Sequence, residues 1–521
     1  MTGWRTARRI GTHTLGIACV AAVALLAQGI PGGETGAVRT REVPVAAGST
    51  TLVCPSPAEL VQDDVGDDHF DASPVETESG LTVAAGVPDV VGLDGEELTG
   101  DTAARVVRAA ADTAAAATAT SVTTAGDLRG LVAGACRAPA IDHWLVGGST
   151  DVGSSSRLVL QNPGRTAASV SLEVWGPSGP VTLGGQALVV VPAGEQVSTT
   201  LEAVAPEQTR LVVHAASRGA RVTAYVQHHR IDGLVPQGAD LVADGALPSR
   251  ALAVAGVDSR GESVEDPHAP SLRLLAPGDQ DGTARLSIYG ADGRVWLRGV
   301  DGVELRAGAV TDVPLGGLPA GRYAVVVDAT VPVVGGGLVH RQGKAPEDSV
   351  VEGDPYDTAW IAGQSVGAVD ADGEGGGGAA FSDDGTVQEA GDDVAPPPSP
   401  SLLALPDGMS WAVDVTAIPA ARGEDDDPAG AADVTITGYA ADGTETGTLD
   451  VTVPGGTDVD LSRKDLEPLG ENVTAIGVTA TGDAATVWGL LLADGSLVAT
   501  LTPPATAVTE STVAVRDVVA D

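Results

Sequence analysis

The side chains able to do chemistry here are many acids and few histidines, and their spacing decides what they can do. The sequence holds 8 His and 70 Asp+Glu. His228-His229 closes a segment that reads as a strand. Neighbouring strand residues point to opposite faces, so the pair cannot grip one metal ion. Asp142-His143 precedes Trp144 with no nucleophile motif beside it. The chain lacks H-E-x-x-H and S-x-x-K, and no Gly-rich loop runs into Lys-Ser/Thr to cradle phosphate. Carboxylate pairs are too common for any one to mark acid–base work. Two acidic stretches suit a hard cation by composition, Gln62–Glu78 and Asp370-Ala371-Asp372-Gly373. Neither has the spacing of a calcium loop, and both read as solvated loops. No catalytic residue, metal ligand or cofactor is expected. Trp144, Trp175 and Trp360 are the candidate ligand contacts, as ring platforms for a glycan, although packing is the stronger expectation for them.

The elements that must carry these residues follow from composition. Among 521 residues, Lys+Arg is 29 against 70 acids, a formal charge of −41. Such a chain is repelled by phosphate backbones and anionic head groups, which argues against nucleic-acid binding and electrostatic membrane attachment. Val, Ala, Thr and Gly abound, while Phe and Met number two each. Strand formers punctuated by Gly and Pro predict an all-β chain with many turns.

Arg5, Arg8 and Arg9 precede an apolar run, Thr14–Ala27, followed by small residues and Pro31-Gly32-Gly33. This is the layout of a secretory signal over 1–30, cleaved after Gly29 or kept as an anchor helix. Residues 10–30 would then be the one membrane contact, and the body would be exported. A linker, 31–42, follows. Export leaves Cys54 and Cys136 as a disulfide pair. Its loop of 136 − 54 = 82 residues is worth about 4–5 kcal/mol in the chain-entropy model. Residues 43–140 read as an irregular module closed by that bond, with a helix over Asp101–Ala117 (DTAARVVRAAADTAAAA).

From Ile141 the chain repeats. An apolar run into glycine occurs at Trp144–Gly148, Ala251–Gly256 and Trp360–Gly363. A short strand ending in Pro occurs at Leu158–Pro163, Leu272–Pro277 and Leu402–Pro406. An alternating strand with an aromatic and a turn occurs at Val170–Gly179, Ala284–Gly293 and Val434–Gly443. From the aromatic (Trp175, Tyr289, Tyr439) to the next turn glycine the spacings are 194 − 175 = 19, 308 − 289 = 19 and 456 − 439 = 17. Alternation sets Val170, Leu172 and Val174 on a core face, with Ser171, Glu173 and Trp175 opposite. The expected architecture is tandem immunoglobulin-like antiparallel β-sandwiches at 141–240, 249–345 and 356–505, then a tail, 506–521. In that register the acidic Gly/Pro-rich stretch 366–400 is an insertion inside the first hairpin of the third sandwich. A second acidic loop falls at Ala421–Ala432.

Cys54-Pro55, Cys136 with Pro139, Trp144–Gly148 and Leu158–Pro163 together resemble an exported actinobacterial family catalogued as domain of unknown function 5719. The resemblance covers roughly Val43–Pro503. It implies an exported envelope protein and assigns no catalytic residue. The expected function is a non-enzymatic scaffold or binding protein of the cell envelope, with an envelope protein or glycan as partner. The alternative is a carbohydrate-binding accessory or a cell-wall-active enzyme.

Overall fold

The computed structural model describes residues 39–45, 49–60, 77–97, 104–110, 113–300, 302–345, 352–366, 401–420, 430–504 and 511–517. The signal over 1–30, most of the acidic stretch 62–78, the stretch 367–400 and the loop 421–429 lie outside them. Among the described residues no helix is long and apolar enough to cross a membrane. The protein is nearly all β, in antiparallel sheets.

Two segments read as linker and tail are strands. Arg39–Val45 pairs antiparallel with Ser511–Asp517, Arg39 opposite Asp517 and Val45 opposite Ser511. Both are rich in Val and Thr, which favour extended backbone. These two strands belong to one unit, and Gly48–Ala507 forms the other.

Inside the larger unit one strand order recurs. The first sandwich has a sheet in the order Gly179–Val181, Ala168–Gly176, Val212–Arg218, Asp142–Val146. Its second sheet runs Gln196–Thr200, Ser154–Gln161, Thr223–Asp232, Val235–Val242. In the second sandwich the sheets run Gly293–Val295, Gly282–Gly290, Gly321–Gln342, Ser249–Ser259 and Thr311–Pro314, Ser271–Leu275, Gly321–Gln342, Tyr356–Ala362. The 22-residue strand Gly321–Gln342 serves both. The third has Glu445–Pro454, Ala431–Tyr439, Ala475–Gly482, Ser401–Ala404 and Thr457–Ser462, Ser410–Ile418, Ala485–Asp494, Leu497–Leu501.

The segment before residue 141, expected to be irregular, uses the same order without the outermost strand of each sheet. Its sheets are Asp89–Gly92, Arg105–Ala109, Thr50–Val53 and Glu78–Ala84, Ala116–Thr123, Gly130–Ala135. It is a fourth, reduced copy. Arg105–Ala109 and the first two residues of Ala116–Thr123 lie where a helix is expected from the sequence. Alanine favours a helix, but Arg105–Ala109 has a pairing strand on each side and Val106 and Val107 are fully buried. Tertiary pairing outweighs a helix preference of a few tenths of a kcal/mol per residue. The disulfide Cys54–Cys136 is formed, with both cysteines in the small core of this copy.

The third register is also corrected. Tyr356–Ala362, which holds Trp360, pairs with Gly336–Gln342 and closes the second sandwich rather than opening the third. Leu402 lies in the opening strand of the third sandwich, paired with Ala475–Val478. The true second strand is Ser410–Ile418, followed by Pro419. Residues 367–400 therefore fall in sequence between the second and third sandwiches. Opening and closing strands are both buried on two faces, so each reads as an apolar run, and the run does not say which ladder it joins.

Candidate functional site

The four closing strands, Gly130–Ala135, Val235–Val242, Tyr356–Ala362 and Leu497–Leu501, pack against one another in a closed cycle. Each is buried along most of its length. They also exchange side chains between cores. Leu131, Ala133 and Ala135 fill the core of the third sandwich, Trp360 that of the first, and Val498 that of the second. Edge strands carry unpaired backbone groups, and here side chains satisfy them. Asp357 Oδ2 accepts from the backbone N–H of Leu131 (3.1 Å) and of Val498 (2.7 Å). Asp240 Oδ2 accepts from Trp360 N–H at 2.7 Å. Thr500 Oγ1 donates to Trp360 C=O (2.9 Å), and Thr358 Oγ1 to Gln237 C=O (2.7 Å). Burial pushes Asp357 up to about 7, although these hydrogen bonds and Arg129 pull it back. Burial also holds Asp240 well above the usual carboxylate range.

The recurrent aromatic is the second device. Trp175 leaves its own core and packs on Leu275, Val310 and Val334 of the second sandwich. Tyr289 packs on Ile418 and Val487 of the third. Tyr439 packs on Ala84 and Ala116 of the reduced copy. The reduced copy meets the first sandwich through Leu128 and Val132 against Val159 and Tyr225, which completes a ring. The turns dock in the same sense. Val310 N–H donates to Gly176 C=O (3.0 Å), and Ala85 N–H to Ala441 C=O (3.3 Å). At Gly194 a Cβ would lie 2.9 Å from Asp94 Cα, and its φ of +71° suits glycine.

These contacts decide the sequence candidates. Trp144, Trp175 and Trp360 are 6%, 6% and 5% exposed. Trp144 stacks on Trp175 (5.5 Å) and on His214 (4.2 Å). None of these three rings offers an open face to a sugar. Asp142 and His143 split across the sheet: Asp142 binds His214 Nε2 (2.7 Å), while His143 lies inside against Asp244 (3.0 Å). His228 is buried and His229 partly exposed, as alternation requires. Sequence reading missed one pair, Ser149 Oγ and His228 Nε2, 3.2 Å apart. It is not a nucleophile and base. Trp360 Nε1–H, 3.4 Å away, is directed at Nδ1, so the ring proton sits on Nε2 and points at the hydroxyl. Burial, reinforced by His229 and Arg273, lowers His228 to about 3, so the ring is neutral.

A cleft remains where the second sandwich meets the third, with a volume of about 420 Å³. Arg260, Arg322 and Arg341 line it, with Asp258, Asp460 and Trp411. Asp258 Oδ2 is shared by Arg260 (2.8 Å) and Arg341 (3.2 Å). Arg322 Nη1 reaches Asp414 (2.9 Å) and Asp460 (2.7 Å). Burial opposes the Arg322 charge, but Asp414 and Asp460 overcome it and hold the group above its ordinary value. Arg341 is lowered by burial and then by Arg260, against the pull of Asp258. Asp458 is raised to about 6 by burial, despite a hydrogen bond from Thr416 and the field of Arg322. No sequence motif announces these arginines. Their one signal is scarcity, since cations are 29 of 521 residues.

The model of DUF5719, a family of unknown function, matches residues 95–379. The chain belongs to this family. No curated protein and no solved structure matches it. The DUF5719 span holds three of the four closing strands and both hub carboxylates, Asp240 and Asp357. It also holds Arg260, Arg322 and Arg341. Asp460 and Trp411, on the opposite wall of the cleft, lie beyond it, as does Asp414, the other partner of Arg322.

Proposed function

We propose that this protein is an exported, non-enzymatic scaffold of the cell envelope, built from immunoglobulin-like sandwiches locked into a ring. One observation carries the reading: the conspicuous buried polar groups hold sandwich to sandwich. Asp240 and Asp357 accept backbone N–H groups across module boundaries, and Trp360 fills a neighbour's core. A chain that commits these groups to rigidity keeps its loops in a constant relative arrangement, which suits presentation of surfaces to an envelope protein or glycan. The Cys54–Cys136 bond supports an oxidising compartment. Cell fractionation with sequencing of the mature N-terminus and thiol alkylation is the test. An envelope or culture-fluid chain with both cysteines oxidised is expected. A cytoplasmic chain whose Cys54 and Cys136 are freely alkylated would overturn the reading.

A further inference from the structure

The cleft at the second junction concentrates what the rest of the chain avoids. In a molecule of net charge −41, three guanidinium groups converge on about 420 Å³. A guanidinium has five N–H donors in a rigid fork matched to carboxylate oxygens. Among the described residues, carboxylate contacts use one nitrogen of each: Nη2 of Arg260, Nη2 of Arg341 and Nη1 of Arg322. Arg341 Nε is a buried donor without a hydrogen-bond partner among the described residues. Arg322 is held by both Asp414 and Asp460, whereas Arg260 and Arg341 share the single carboxylate Asp258, a local balance of 2 − 1 = +1 on their side of the cleft. The Arg260 side chain is 56% exposed at the mouth and can reorient toward a ligand. Trp411 adds a ring to the wall, with the Arg463 guanidinium 5.8 Å from its centroid.

We propose that this cleft binds a small organic carboxylate that carries a ring, of the size of a uronic acid. The arginine forks take the carboxylate, and Trp411 contacts the ring. This site is independent of the scaffold reading, because an enzyme or a cytoplasmic protein could carry it equally.

The probe is D-glucuronate, titrated calorimetrically into the full chain, with D-glucose as the ring without a carboxylate. Saturable binding of glucuronate is expected, with glucose weaker by about tenfold or more, the scale of a charge-assisted hydrogen bond. Raised salt is expected to weaken glucuronate and leave glucose unchanged. Arg260→Ala is expected to weaken glucuronate about tenfold. Arg260→Lys, which keeps the charge and loses the fork, is expected to fall between. The idea is overturned if glucuronate does not saturate, if glucose binds equally well, or if a folded Arg260→Ala chain binds like the wild type. If Arg260→Ala fails to fold, the comparison of the two sugars on the wild-type chain still decides.

Discussion

At the scale of single residues, the ring turns on positions where a neighbour leaves no slack. Gly130 is one. A Cβ there would lie 2.6 Å from Ala239 O, 2.9 Å from its N and 2.9 Å from Asp357 Oδ1. Gly130→Ala is expected to cost about 1–3 kcal/mol, as overpacking against backbone does, read as a lowered urea midpoint. Trp175→Ala empties a contact that two sandwiches share, and a loss of about 3–5 kcal/mol is expected. Asp357 makes stability depend on pH. Its folded value of about 7 exceeds the unfolded one, so the folded chain holds a proton that the unfolded chain releases. That contribution is present at low pH and is lost as pH rises from about 4 to 7. His228 and His340, lowered by burial to about 3 and about 4, work in the opposite sense as pH falls below 6.5. Only a difference between chains isolates the carboxyl. Asp357→Asn keeps an oxygen for Leu131 and Val498, so its stability relative to wild type is expected to be higher at pH 8 than at pH 5 in paired urea titrations. Trp175 was legible as a strand-end aromatic on the solvent side of the alternation. Its partners were not, because residues 275, 310 and 334 share no local pattern with it.

At the scale of elements, the closing strand is the unit of construction. The alternation of Val170, Leu172 and Val174 and the turn spacings of 19, 19 and 17 were readable because period and turn chemistry are local. The assignment of Trp360–Gly363 was not, because a strand buried on both faces loses its alternation and leaves only an apolar run. The reduced copy was missed for a similar reason. With two strands absent, its turns no longer fall at the spacing of the others, and its alanines favour a helix outside their ladder. Its compensation is covalent. Cys54 and Cys136 join the end of its opening strand to the end of its closing strand. Replacing both with serine is expected to cost about 4–5 kcal/mol, the loop-closure value for 82 residues, as a lower urea midpoint.

At the scale of the molecule, four cores that lend side chains to one another cannot unfold separately. Calorimetry of the full chain is expected to give one transition for residues 48–507 rather than four, and agreement of the calorimetric and van't Hoff enthalpies checks it. A chain ending at residue 366 keeps three closing strands without the fourth and is expected to bind a hydrophobic dye that the full chain excludes. The charge of −41 predicts solubility and nothing about this arrangement, which depends on contacts far apart in sequence. The cleft arginines, at 260, 322 and 341, meet only once the long strand Gly321–Gln342 has crossed between sheets.

The cycle of closing strands also sets a clock. Gly130–Ala135 is made early, and Leu497–Leu501, one of its two neighbours, is made 497 − 135 = 362 residues later. At about 5–20 residues per second, synthesis leaves the early strand waiting roughly 20–70 s for that neighbour. During that interval Leu131, Ala133 and Ala135 lack the complete core of the third sandwich, and the amide of Leu131 has no carboxylate to meet until Asp357 is made. The newborn chain is therefore a substrate for whatever holds unfinished β-proteins, for a time set by its length and not by its stability.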